Sequence, residues 1–263
     1  LNLWIMSIKT DIYSALGAGC LCMVGMVLQG IPVDMSFVAI ASFFVYAMHV
    51  LHRLLGRKPA NLVGSFREES YQKYGRLYLY TAVTAIVLAL FLAFNKSLAV
   101  FLLLFIISLA GLVYNIISFP KKWYFNSFKE LPGSKNISMS IAWGVVTSIL
   151  PALNKDYSFN AGLMVAFCFA FGIVFTRSAM SDILEIQSDK LIGQETIPVF
   201  FGRERTVEIL GIISLILLVI LFISRPVGWT SSLSYFLSIC ILYIWICFRF
   251  CDRESALSGA VKE

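Results

Sequence analysis

The sequence predicts an all-α integral membrane protein of about eight transmembrane helices, and three observations carry that prediction. Of its 263 residues 59% are hydrophobic and only 14% charged, with a mean hydropathy of +0.83, a balance foreign to soluble domains. The apolar residues gather in uncharged runs long enough to cross a hydrocarbon core. The basic residues gather in alternate connections between those runs, which is how a membrane protein records its orientation.

The runs lie near Tyr13–Gly30, Met35–Leu51, Leu77–Phe94, Ser97–Phe119, Ile137–Leu153, Phe159–Thr176, Ile209–Ser224 and Val227–Phe248. Backbone facing lipid must satisfy its own hydrogen bonds, and the runs lack strand-like alternation, so each reads as a helix. Short external turns then alternate with long connections, giving four helical hairpins in one domain over residues 1–263, with long loops at about 52–76, 120–136 and 177–206.

Of 21 Lys and Arg, only Lys96, Lys155 and Arg225 fall in the short connections. The rest place both termini and the three long loops on the cytoplasmic side, as expected of a prokaryotic inner membrane protein. The net charge of +6 is therefore concentrated on one face, where it suits anionic lipid and speaks against a nucleic-acid partner. The six cysteines, Cys20, Cys22, Cys168, Cys240, Cys247 and Cys251, lie in or beside apolar runs without a CxxC pair, and read as small hydrophobes. No cleavable signal peptide is evident at the start, and the first residue, Leu1, suggests that an N-terminal stretch precedes it.

Function is expected on the long loops. The sixth connection, from Arg177 to Pro198, places Asp182, Glu185 and Asp189 at i, i+3 and i+7 if the preceding helix continues, so that all three share a face. Clustered carboxylates repel one another unless a cation neutralises them. Hard oxygen donors facing water suit Mg²⁺, which typically bridges to substrate phosphates; the same spacing also describes an ordinary solvated helix end.

The connection resembles the second aspartate-rich motif of the UbiA superfamily of intramembrane prenyltransferases. That motif runs roughly Arg-Ser-x-x-x-Asp-x-x-Asp-x-x-x-Asp-x-x-x-Gly-x-x-Thr-Ile/Leu-Pro, with a Gly soon after. Here it is met by Arg177, Ser178, Asp182, Glu185, Asp189, Gly193, Thr196, Ile197, Pro198 and Gly202, with Glu185 the single departure. Tyr114-Asn115 and Lys135-Asn136 also look like that family. The resemblance implies a helical bundle around a cavity, with Arg67, Tyr114, Lys135, Asn136 and Arg177 toward an isoprenoid diphosphate and Asp182, Glu185 and Asp189 toward Mg²⁺. In active relatives two such motifs draw charge off the leaving diphosphate as an allylic cation forms, and an aromatic or quinone precursor traps it.

The first motif departs from the pattern. The family's Asn-x-x-x-Asp-x-x-x-Asp, aligned without a gap through Arg67 and Tyr74-Gly75, falls on His52, Gly56 and Ala60, beside Arg53, Arg57 and Lys58. Both aspartates are missing, and Arg57 and Lys58 offer a cationic grip on phosphate in their place; a plain basic juxtamembrane loop fits the same residues. His49 and His52 share a helical face, but two histidines alone make a poor metal site.

Two functions follow. One is a catalytically degenerate member that binds lipid or quinone as an accessory subunit of a membrane complex. The alternative is an active transferase moving a polyprenyl chain to an aromatic or quinone-precursor acceptor. A transporter is weaker, because the apolar runs carry almost no ionisable groups near their centres.

Overall fold

A computed structural model describes residues 11–55, 71, 73–116, 133–154, 160–192 and 196–250. The described residues are almost entirely helical. The helices are α1 (Ile12–Leu28), α2 (Met35–Leu55), α3 (Gly75–Phe94), α4 (Leu98–Ile116), α5 (Ser134–Leu153), α6 (Ala161–Leu184), the short α7 (Ile186–Ile192) and α8 (Ile197–Phe201), α9 (Arg203–Ser224) and α10 (Leu233–Phe250). Helices α2, α3, α5, α6 and α9 are long and apolar enough to cross a membrane, while the apolar stretches of α1, α4 and α10 are shorter. Each long helix overlaps a predicted run, but α6 continues past Thr176 to Leu184, α9 begins at Arg203 rather than Ile209, and α7 and α8 lie where the sequence predicts a long loop; the chain is an integral membrane protein.

Neighbours in sequence pack side by side, α1 on α2, α2 on α3, α3 on α4, α5 on α6 and α9 on α10. The bundle is completed by α6, which packs on α1, α5 and α9, and by contact of α10 with α1. Lipid tails are as apolar as leucine, so helix association rests on close packing of small groups rather than on escape from water. Helix α3 illustrates this, since its buried side is Ala82, Ala85, Ala89 and Ala93, at helical spacing. Its other side presents Leu79, Val83, Val87, Phe91 and Phe94 outward, as a lipid-facing surface requires.

Helix α5 is not uniform. Residues Val145–Ile149 form a π-helical segment between two α-helical stretches. Pro151 accounts for it: proline has no N–H to give the carbonyl four residues back, and its ring crowds that carbonyl. The carbonyl concerned, that of Thr147, points instead at Gly25 of α1, where a Cβ would come within 2.7 Å of it. Gln29 donates through Nε2 to the carbonyls of Ser148 (3.2 Å) and Gly25 (2.9 Å). The Gln29 amide thus ties the end of α1 to the backbone of the π-helical segment.

The two ends of the bundle differ. One gathers the start of α1, the end of α2, the end of α4, the start of α5 and the end of α6, as the contacts below show; we term it the basic end. The other holds the α1–α2 turn, where Lys96 meets Asp34 at 2.6 Å.

Candidate functional site at the basic end

The site is built on the first turn of α5 and the last turns of α6. Gly133 precedes α5 with φ +75, a left-handed conformation that costs glycine little, and so turns the chain directly into Ser134, Lys135 and Asn136. A Cβ there would also press within 2.8 Å of Ile197. On α6, Ser178 and Asp182 are four residues apart and share a face.

These residues form a closed network. Lys135 Nζ donates to Asp182 Oδ1 at 2.9 Å, and Asn136 Nδ2 donates to Asp182 Oδ2 at 2.8 Å. Ser178 Oγ donates to Asn136 Oδ1 at 2.9 Å, which fixes the amide with its nitrogen toward the carboxylate. Asp182 and Asn136 are each 1% exposed. Lys135 sits near the positive end of its helix and Asp182 near the negative end of its own, so each charge is disfavoured by its own helix and compensated by the other. Tyr114, at the end of α4, shares a hydrogen bond of 3.0 Å with Ser134 and thereby stands one residue from Lys135.

The three carboxylates expected on one helix fall across a break between two helices. Helix α6 ends at Leu184, and Glu185 leaves helical geometry with φ −96 and ψ 6 before α7 begins. Asp182 and Asp189 are buried while Glu185 is exposed, so the three do not line one face of a continuous helix. Among the described residues no three His, Cys, Asp or Glu side chains stand together as a metal ligand set. Both oxygens of Asp182 accept hydrogen bonds, from Lys135 and from Asn136.

Arg177 lies on the α1 side of α6. It donates through Nη2 to Ser14 Oγ at 2.7 Å, and its guanidinium lies 5.7 Å from the Trp143 ring centre, within cation–π range. His49 meets the same ring edge-on at 5.9 Å. His52 and Arg53 occupy the last turn of α2.

Sequence reasoning missed a second ion pair on a buried carboxylate beside these residues. Asp11, 3% exposed and in the left-handed region with φ 58, lies 2.8 Å from Arg53 Nε. It also accepts from the Tyr71 hydroxyl at 2.8 Å, and burial together with this carboxylate pushes the Tyr71 phenol well above its ordinary pKa. Asp11 is the acidic residue just before the first apolar run, but nothing in one sequence pairs it with a residue sixty positions away. Gly56, Arg57, Lys58, Ala60 and Arg67 lie outside the described residues.

Bundle and network together define a polytopic helical membrane protein with interlocked charges at one end. It belongs to the UbiA prenyltransferase family, whose profile matches residues 74–260. A comparison with curated proteins gave no match. Among solved structures, the fold is similar to a UbiA homologue from Archaeoglobus fulgidus bound to GPP and Mg²⁺, at 18% identity and TM-score 0.65, covering 91% of this chain and 86% of that one. It is similar also to the apo UbiA homologue of Aeropyrum pernix K1, at 11% identity and TM-score 0.69 over 94% and 92% of the two chains. A digeranylgeranylglyceryl phosphate synthase structure matches at 12% identity and TM-score 0.63 over 100% and 94%. At these identities the likeness establishes the fold.

Proposed function

We propose that this chain is a catalytically degenerate UbiA-type protein that binds a lipid or quinone in the membrane and serves as an accessory subunit of a larger membrane assembly. The observation that carries the reading is the first motif, with His52, Gly56 and Ala60 where the family pattern has Asn, Asp and Asp. A diphosphate leaving group needs its developing negative charge neutralised as the allylic cation forms, and loss of a single stabilising donor already costs about 10²–10³ in rate. The one-sided distribution of basic residues places both termini and the basic end in the cytoplasm in this reading.

One observation favours the alternative, an active prenyltransferase: the second-motif residues Arg177, Ser178, Asp182, Asp189, Thr196 and Pro198 are all retained. In that case Mg²⁺ at the second motif would neutralise the departing diphosphate, with Arg57, Lys58, Arg67 and Arg177 on its oxygens.

The test is turnover of the purified chain with a panel of polyprenyl diphosphates and aromatic acceptors, beside the variant His52→Asn/Gly56→Asp/Ala60→Asp. Activity only in the restored variant is the expected result. Robust turnover by the native chain, abolished by Arg57→Ala/Lys58→Ala, would overturn the degenerate reading.

A further inference from the structure

The end of the bundle opposite the basic end holds an open cavity of about 340 Å³ between the α1–α2 turn and the end of α5. The turn contributes Ile31, Pro32, Asp34 and Phe37, and α5 contributes Pro151 and Asn154. Pockets for small ligands begin at about 300 Å³, so the space suits a compact polar group. Asp34 and Lys96 meet here, and neither is saturated. Asp34 Oδ1 accepts from the Ser36 N–H at 2.9 Å, and Oδ2 accepts from Lys96 Nζ at 2.6 Å. An ionised carboxylate offers about four acceptor positions and an ammonium three donors; these two bonds leave both groups with capacity to spare. The Lys96 ammonium also lies 5.6 Å from the centre of the Phe37 ring, in cation–π range, which holds it beside the carboxylate. Both side chains remain partly exposed. A simple anion approaching Lys96 would meet the repulsion of Asp34, and a simple cation approaching Asp34 would meet that of Lys96. A group carrying both charges is opposed by neither.

We propose that this cavity binds the ammonium–phosphate head group of a zwitterionic phospholipid, with its ammonium on Asp34 and its phosphate on Lys96. The surroundings place the pair at the level of lipid heads. Lys96 lies between Phe94 and Leu98, where α3 gives way to α4, and Asp34 lies between Val33 and Met35; all four of these apolar neighbours are exposed. Exposed apolar groups rimming a polar site mark a surface that meets a membrane or a partner, and here they would lie along the acyl chains. Phosphoethanolamine is the head group that fits, because its primary ammonium brings three N–H donors to Asp34 and Asn154, whereas a trimethylated ammonium brings none. The site is separate from the basic end, and the inference stands whether or not a prenyl group is ever transferred there.

The experiment reads lipid retention by native mass spectrometry. The purified chain in detergent is offered equal amounts of phosphatidylethanolamine, phosphatidylcholine and phosphatidylglycerol with the same acyl chains. The native chain should retain the ethanolamine lipid over each of the others by about 5-fold, the upper end for a partly exposed ion pair. Asp34→Asn should remove the preference over phosphatidylglycerol, and Lys96→Met should lower retention of the ethanolamine lipid. The neutral double variant Asp34→Asn/Lys96→Met should bring all three lipids level. Thermal unfolding of each variant, measured alongside, separates a lost preference from a folding defect. Free phosphoethanolamine in excess should compete the lipid off. Competition equal to that of a short-chain phosphatidylethanolamine would support recognition of the head alone, and stronger competition by the lipid would support an added contribution from its chains. No competition by either would overturn the inference. So would equal retention of phosphatidylglycerol by the native chain, or a preference that survives in the double variant.

Discussion

The two ends of the bundle treat charge differently. At the basic end Asp11 and Asp182 are almost wholly withdrawn from solvent, and each is met by both a cation and a neutral donor, Arg53 with Tyr71 and Lys135 with Asn136. At the opposite end Asp34 and Lys96 approach to 2.6 Å, yet their side chains remain 35% and 23% exposed. Distance alone ranks the exposed pair first. Burial of the carboxylates reverses the ranking, because a stranded Asp11 or Asp182 is shut off from water whereas Asp34 is not. This holds even though Arg53 and Lys135 are 33% and 34% exposed against 23% for Lys96.

The largest expected effect is that of Lys135→Met. It removes a charged donor from buried Asp182 and should lower stability by about 1.5–3 kcal/mol, read as thermal unfolding in detergent. The double variant with Asp182→Asn should recover most of the loss. If the single variant is neutral, the basic end is no more demanding than the surface pair. A comparable effect is expected for Tyr71→Phe, which removes a donor from buried Asp11 and should cost about 1.5–3 kcal/mol. A destabilisation below about 0.5 kcal/mol would show that Arg53 alone suffices.

The smallest effect belongs to Lys96→Met, at most about 1 kcal/mol and declining with added salt. Burial works against the charge of Asp34, but hydrogen bonds from Lys96 and Ser36 outweigh it and hold the carboxyl below its ordinary value of 3.8. Because the folded value is the lower one, this contribution is present above pH 3.8 and is lost as pH falls through the folded value. An unfolding midpoint that moved in the opposite direction over that window in the native chain, relative to Asp34→Asn, would contradict the assignment.

The helices were legible because hydrocarbon imposes length and apolarity on each span in turn, and both can be read locally. The site was half legible. Asp182, Lys135, Asn136 and Arg177 were singled out through a pattern of residue types, whereas the bonds among them span as many as 163 positions, as in Arg177 to Ser14. The break at Glu185 was missed because glutamate favours helices and no glycine or proline marks the spot; burial of Asp189 on the next short helix is a tertiary demand with no local sign. The wide turn in α5 did have a local sign in Pro151, inside a stretch otherwise read as one uniform span.

That wide turn sets the rotational phase of α5. An α-helix advances about 100° per residue, so one residue removed from Val145–Ile149 would regularise the coil and turn its two halves against each other by about that angle. The stretch carrying Lys135 and Asn136 could then face α6, or the stretch carrying Thr147 could face Gly25, but one helix could no longer do both. The extra residue is in effect a gear tooth: it lets a single span mesh with α6 at its charged end and with α1 farther along, and ties the aim of Lys135 to a proline sixteen residues away.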